Sequence, residues 1–488
     1  MKAPPRFAAL FALALMAGCT AGPNYHRPSA PVPPQYKEGW MPGRPADAIN
    51  RGAWWRIYKD PVLDRLERRV DISNQNLKAA AANFRAAEAI VAEARAGFFP
   101  TAQVTASAER SRSSGGRAQI GNLFATAAGA SWVPDLWGRV RRTVESEVAS
   151  AQASAGLLAN ARLSAQAALA ADYLELRVAD ELRRLLERES KAFAESLRIA
   201  KNQLSAGTAS ASDVAQAEAQ LESTKAQAVA VGVARAQFED AIAVLIGVPP
   251  ADLSIAPVAR VPETPAIPVG LPSALLERRP DIAAAERQMA AANAEIGVVE
   301  AGFFPDVTLS ADYGVAAATL ARLFSASSRV WSLGSNLVET VFDAGARNAQ
   351  LEQQRALYDA TVAQYRQTVL TAFQQVEDAL AALRILSEQL KAQDRAVAAA
   401  RRAERIIDNQ YKAGTVAYTA VIVAETTALA DAVNAVGIRQ SRLVASVALI
   451  EALGGGWKSA QLPTREQIEK NAPLDFSPFP ALPKRHAR

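Results

Sequence analysis

The sequence predicts an internally duplicated α+β chain, with helices too long for a compact core and strands long enough to cross a membrane. Three observations carry that reading. The first is a repeat: Asn202-Gln-Leu-Ser-Ala-Gly-Thr208 returns as Asn409-Gln-Tyr-Lys-Ala-Gly-Thr415, 207 residues later, and Ile246-Gly247 returns as Leu453-Gly454 at the same offset. Ala96-Gly-Phe-Phe-Pro100 returns as Ala301-Gly-Phe-Phe-Pro305 after 205 residues, the drift being a loop difference. A two-copy repeat this long is a duplicated unit, not a short-period solenoid. The second is helix length: Gly138 to Leu204 and Gly345 to Tyr411 are each 66 residue steps of Ala-rich sequence. At 1.5 Å per residue each is about 100 Å long. The third is period-two patterning after each Gly-Phe-Phe-Pro, where Val307, Leu309, Ala311, Tyr313 and Val315 alternate with Thr308, Ser310, Asp312 and Gly314.

Composition removes several function classes. The 488 residues carry 54 Lys+Arg against 49 Asp+Glu, and much of the excess of +5 lies in Lys484, Arg485 and Arg488, so no basic stripe suits a nucleic acid. One Cys cannot build a disulfide framework or a Cys-rich zinc site. His26 and His486 are too few for a His-based triad or a multi-His metal cage. No phosphate loop or nucleophile–base set occurs, so neither an enzyme nor a cofactor is expected. Glu377-Asp378 are adjacent on a helix, where neighbours point in different directions, and read as solvated or interhelical charges.

At the N-terminus, Lys2 and Arg6 precede the apolar run 7–17, and Gly18-Cys19 follows. This is the pattern of a secretory signal, too short to span a bilayer as a helix. Leu15-Met16-Ala17-Gly18-Cys19 resembles a bacterial lipoprotein box with Met16 in place of the commoner Leu, so Cys19 is expected to be the acylated first residue of the mature chain. Thr20 stands where an Asp would suggest retention at the inner membrane, which points to the outer membrane. The Pro-rich stretch from Pro23 to Pro45 favours extended backbone and reads as a tether.

Each copy then repeats one order of elements. A helix (Asn74–Gly97; Asp281–Gly302) ends at Gly-Phe-Phe-Pro, because Gly suits a left-handed helix end and Pro cannot continue the helix. Strands are expected at 101–113 and 121–134, and again at 306–317 and 329–342. A long helix and a shorter return helix (212–246; 419–453) follow, turning at Ala-Gly-Thr. No apolar run of 18 residues is present, so no membrane-spanning helix is expected. Four strands cannot close a water-filled barrel and an open edge is forbidden in lipid, so strands in a membrane would require several chains to share one barrel. A small soluble sheet packed on the helices is the alternative. The implied division is a signal peptide at 1–18, an acylated tether at 19–60, a first repeat at 61–248, a connector at 249–272, a second repeat at 273–456 and a C-terminal tail at 457–488.

These residues resemble the TolC-like outer-membrane efflux family, in its lipoprotein branch (the OprM/NodT type). Gly22-Pro-Asn-Tyr-His-Arg-Pro28, Trp54-Trp-Arg-Ile-Tyr-Lys-Asp-Pro61, Arg278-Arg-Pro-Asp-Ile-Ala-Ala-Ala-Glu286, Phe373-Gln-Gln-Val-Glu-Asp-Ala-Leu380 and Ala452-Leu-Gly-Gly-Gly-Trp457 carry the resemblance, in order along nearly the whole mature chain. It implies a homotrimer in which each chain gives four strands to a twelve-stranded barrel and its helices to a periplasmic α-helical barrel, with an equatorial domain. Such a trimer is a passive exit duct of a tripartite efflux pump, fed by a periplasmic adaptor and an inner-membrane transporter of the RND type. A pore-free periplasmic coiled-coil lipoprotein is the competing reading.

The resemblance places adaptor docking and closure at the two Ala-Gly-Thr turns, with Gly207, Thr208, Gly414 and Thr415. Asp213 is expected to cap the return helix or accept a hydrogen bond from Ser210 or a neighbour and, compatibly with that, to make a tip-closing contact with Tyr411. Many family members carry an acidic ring on the second return helix. The matching positions here are Ala420 and Val423, with Glu425 and Asp431 out of register, so Val423 or Val421 is the expected apolar constriction. Asp135 with Arg139, and Asp343 with Arg347, are expected to shape the strand-to-helix turns. Phe98-Phe99 and Phe303-Phe304 read as buried or interfacial aromatics, and Trp54-Trp55 as collar packing.

Overall fold

In a computed structural model, residues 20–37, 53–113, 119–258, 261–267 and 275–476 are described; Cys19 and the signal segment lie outside them. Helix α1 (Pro61–Ser73) starts where Asp60 accepts the amides of Val62 and Leu63, with Pro61 in the first turn, where its missing N–H costs nothing. Asn74 caps α2 (Gln75–Ala96) through the amide of Leu77. Strands β1 (Thr101–Ser113) and β2 (Gln119–Trp132) follow. The long helix α3 (Arg139–Ser205) and its return α4 (Ala211–Leu245) close the first copy, with 67 and 35 residues. The second copy contains α5 (Pro280–Ala301), β3 (Asp306–Ala317), β4 (Arg329–Val338), α6 (Ala346–Lys412) and α7 (Tyr418–Ala452), the last two again 67 and 35 residues long. A short α8 (Arg465–Asn471) follows.

The long helices pack sideways, and small side chains permit it. A Cβ on Gly156 of α3 would stand 3.0 Å from the Cβ of Ala284 on α5. The largest apolar cluster lies at mid-height, where Trp54, Trp55, Tyr58, Tyr173, Tyr365 and Ile282 are buried together. A second cluster at the turn end joins the two copies through Phe193, Leu197, Tyr411 and Tyr418. The connector is held by buried charge: Asp180 on α3 takes Arg177 at 3.3 Å and Arg235 of α4 at 2.8 Å, while Arg177 donates to the carbonyl of Ala256 at 2.8 Å.

Three sequence expectations change. Strand β4 stops at Val338, not at 342. The guanidinium of Arg347 turns the chain there, bonding the carbonyl of Thr340 and the carboxylates of Glu339 and Asp343. The described part of the tether is not free: Arg142 donates to the carbonyls of Ala21 and Gly22 and to Asn24 Oδ1, each at 3.0 Å, and Tyr25 donates to Glu286 at 2.7 Å. Helix α7 is long and apolar enough by composition to cross a membrane, with half of that stretch buried. Dispersed Ala, Val and Leu make it apolar without any unbroken run, and it packs against α6 and α3.

The four strands form one antiparallel sheet in the order β1-β2-β3-β4. Its β2–β3 pairing, with Ala128 opposite Tyr313, unites the two copies.

Candidate functional site

Register assigns the faces of the sheet, because opposed residues of an antiparallel pair share a side and neighbours along a strand alternate. One row reads Val104–Ala128–Tyr313–Trp331 and the next of that face Ala102–Ala130–Ala311–Leu333. Between them, on the other face, lies Gln103–Gly129–Asp312–Ser332, where Ser332 donates to Asp312 at 3.2 Å. Val104, Tyr313, Trp331 and Leu333 are exposed. An apolar face open to its surroundings and a polar face behind it suit a wall between hydrocarbon and water. The outer sides of β1 and β4 have no strand partner among the described residues.

At the far end of the helices, the two turns are near copies. Gly207 and Gly414 take φ of 76° and 71°, the left-handed conformation that lets the chain reverse. The amide of Thr208 reaches back to the carbonyl of Gln203 at 2.9 Å, and that of Thr415 to Gln410 at 3.0 Å. Both threonine hydroxyls donate to the same carbonyls. The copies differ in how the return helix starts. Ser210 and Asp213 form a reciprocal capping box on α4, whereas Ala417 gives α7 no side-chain cap. In its place Tyr418 packs on Tyr411, with ring centroids 5.1 Å apart.

Of the two expected roles of Asp213, the structure forms the cap: its carboxylate accepts the Ser210 amide at 3.0 Å. The hydroxyl of Tyr411 is buried without a hydrogen-bond partner among the described residues. Burial, then the charge of Asp213, push that hydroxyl above its ordinary range. Val421 is buried, while Val423 is 64% exposed, so only Val423 can present a side chain to a bore. It lies on an exposed, uncharged stripe of α7 with Thr419, Thr427, Ala430 and Asn434.

Sequence reasoning missed what Glu425 does. One turn below Val421 it points into the helix packing, where its Oε1 accepts from Ser196 of α3 at 2.7 Å and its Oε2 has no partner among the described residues. Burial, helped by the charges of Glu404, Asp408 and Glu189 and opposed by Ser196, pushes its carboxyl up to about 7. At the strand-to-helix turns, Asp343 pairs with Arg347 at 2.8 Å as expected, but Asp135 pairs with Arg141 at 3.0 Å, not with Arg139. The first copy has one more residue between the Asp and the left-handed Gly138, which moves the partner along the first helical turn. Phe304 stacks on Trp137 at 4.9 Å and Phe99 meets Phe476 at 5.4 Å, both pairs lying at the inner end of the sheet.

An open sheet with one apolar face, carried on paired helices about 100 Å long, defines a membrane channel subunit with a long aqueous extension. The outer membrane efflux protein model matches residues 68–248 and 271–455, and the chain belongs to that family. It is an outer-membrane protein of the efflux-channel type. It is 31% identical over 469 residues to the toluene efflux pump outer membrane protein TtgC of Pseudomonas putida, covering 94% of this chain and 97% of that one. It is 32% identical over 459 residues to the pyoverdine export outer membrane protein OpmQ of Pseudomonas aeruginosa, covering 91% and 95%. The solved outer-membrane channel OprN superposes with a TM-score of 0.82 at 30% identity, covering 90% of this chain and all of that one.

Proposed function

We propose that this chain is the exit duct of a tripartite efflux pump. Three copies pool their strands into a twelve-stranded barrel and their helices into a periplasmic tube. The duct takes small molecules from a periplasmic membrane-fusion adaptor and an RND-type inner-membrane transporter, and it conducts them without catalysis. The carrying observation is the four-stranded sheet with one apolar face, one polar face and two edges that have no strand partner among the described residues, which lipid tolerates only if copies close it. The cargoes for which the relatives are named, toluene and pyoverdine, differ widely, which suits a duct with no selective pocket of its own.

In this reading Cys19 bears the acyl anchor. Its neighbour two residues on, Ala21, donates its amide to Trp137 at 3.0 Å, so the strap starts beside the inner end of β2. The turns around Gly207, Thr208, Gly414 and Thr415 dock the adaptor. Asp213 holds α4 in shape there, Tyr411 packs the two hairpins together, and Val423 narrows the bore. Residues 61–248 and 273–456 serve as the two structural repeats on either side of the connector.

Cys19→Ser behind a cleavable signal tests the duct directly. A trimer that still needs detergent is the expected product, since the barrel alone holds it in membrane. Recovery as a soluble monomer sinks the proposal.

A further inference from the structure

The charges of the described strands are sorted by face. Register puts Arg110, Arg112 and Arg329 on the apolar face: Arg110 lies opposite Asn122, Arg112 opposite Ile120, and Arg329 opposite Val315. The acids Glu109, Asp306 and Asp312 all fall on the other face, and no acid stands on the apolar one. All three arginines are exposed.

They also share a height. Thr101 shares a row with Ser131 and Ser310, yet β3 begins four residues earlier, at Asp306. The helix-proximal edge of the sheet is therefore staggered, as it is for tilted strands. Counted from each strand's own helix-proximal end, Arg110 is nine residues beyond Thr101 and Arg329 nine residues beyond Val338. That is about 30 Å along a strand, or about 23 Å of height at a barrel tilt near 40°. An outer-membrane apolar band is about 25 Å tall. The arginines thus stand at its outer rim, above Val104, Tyr313, Trp331 and Leu333. In a closed barrel of copies, β4 of one chain neighbours β1 of the next, so Arg329 meets Arg110 and Arg112 across each seam.

A guanidinium facing lipid is costly at the midplane and tolerable at the rim, where its natural partner is a phosphate held in bidentate geometry. The apolar wall below offers acyl chains a surface, and the absence of acids on this face leaves the cationic cluster uncompensated. We propose that each seam binds a bisphosphorylated glycolipid of the outer leaflet, its phosphates on Arg110, Arg112 and Arg329 and its chains against the apolar rows. The proposal rests on the duct reading above.

The test uses full-chain trimers in detergent and native mass spectrometry, with three probes: lipid A, lipid A stripped of both phosphates, and phosphatidylglycerol. Wild type is expected to bind one lipid A per seam, and removing the phosphates is expected to weaken binding about tenfold or more. The triple variant Arg110→Gln, Arg112→Gln, Arg329→Gln is expected to lose as much, while the triple Arg→Lys variant is expected to fall between wild type and the Gln variant, a point charge still meeting the phosphate without the bidentate fork. Undiminished binding by the Gln variant, indifference to phosphate removal, or equal affinity for phosphatidylglycerol each overturns the glycolipid site. Should the Gln variant not assemble, the phosphate-free probe on wild type decides alone. A stable trimer that ignores lipid A refutes this site only, whereas wild type recovered as a soluble monomer refutes the duct on which it stands.

Discussion

Glu425 sits where the two helical hairpins touch, and its protonation is tied to that packing. Its ordinary value of 4.5 is pushed up to about 7 chiefly by burial, so the folded chain holds the proton more tightly than the unfolded one. Stability from this group is therefore full below about 4.5 and declines as pH rises towards 7, remaining low above it. Glu425→Gln should remove that slope. Between pH 5 and pH 8 the wild type is expected to lose about 1–2 kcal/mol relative to the variant. Thermal unfolding of the solubilised protein at the two pH values reads this; parallel behaviour of the two proteins refutes it. The sequence showed Glu425 only as an acid out of register. Its partner Ser196 is 229 residues away, and no local pattern marks that pair.

The elements were far more legible than their contacts. The paired 67-residue helices follow from Ala-rich, Pro-free sequence between left-handed glycines. At the Gly-Phe-Phe-Pro junctions only the proline half of the expectation holds: Pro100 and Pro305 follow the helix ends, but Gly97 and Gly302 stay right-handed, with φ of −58° and −71°. The short β4 was not legible, because its end is set by Arg347 reaching back to the Thr340 carbonyl. The glycines themselves divide into two kinds. A Cβ added at Gly414 has nothing within 4 Å, so Gly414→Ala should cost only the left-handed strain, about 1–2 kcal/mol. At Gly454 the same Cβ would collide with the carbonyl oxygen of Arg278, and Gly454→Ala should cost more than about 3 kcal/mol as strain and overpacking add. Denaturation midpoints of the two variants are the measurement, and equal losses would contradict this account.

At the scale of the whole molecule, the duct should be narrowest where α7 shows its one bulky apolar exposed side chain among small and polar neighbours, Val423. Val423→Asp is expected to place three carboxylates at one level of the bore and to shift the reversal potential in a planar bilayer towards cation selectivity, at least several-fold in permeability ratio. An unchanged reversal potential would put Val423 outside the bore. What the sequence determined by itself was periodic and local: duplication, helix length, strand alternation and the glycines that turn the chain. These depend on backbone preferences and on which side of an element is apolar, and both are written residue by residue. Tertiary structure alone decided which acid caps a helix and which is buried, that Arg141 rather than Arg139 meets Asp135, and that the two copies share one sheet through Ala128 and Tyr313. Those outcomes depend on distances between residues remote in the chain, which packing sets and periodicity does not encode.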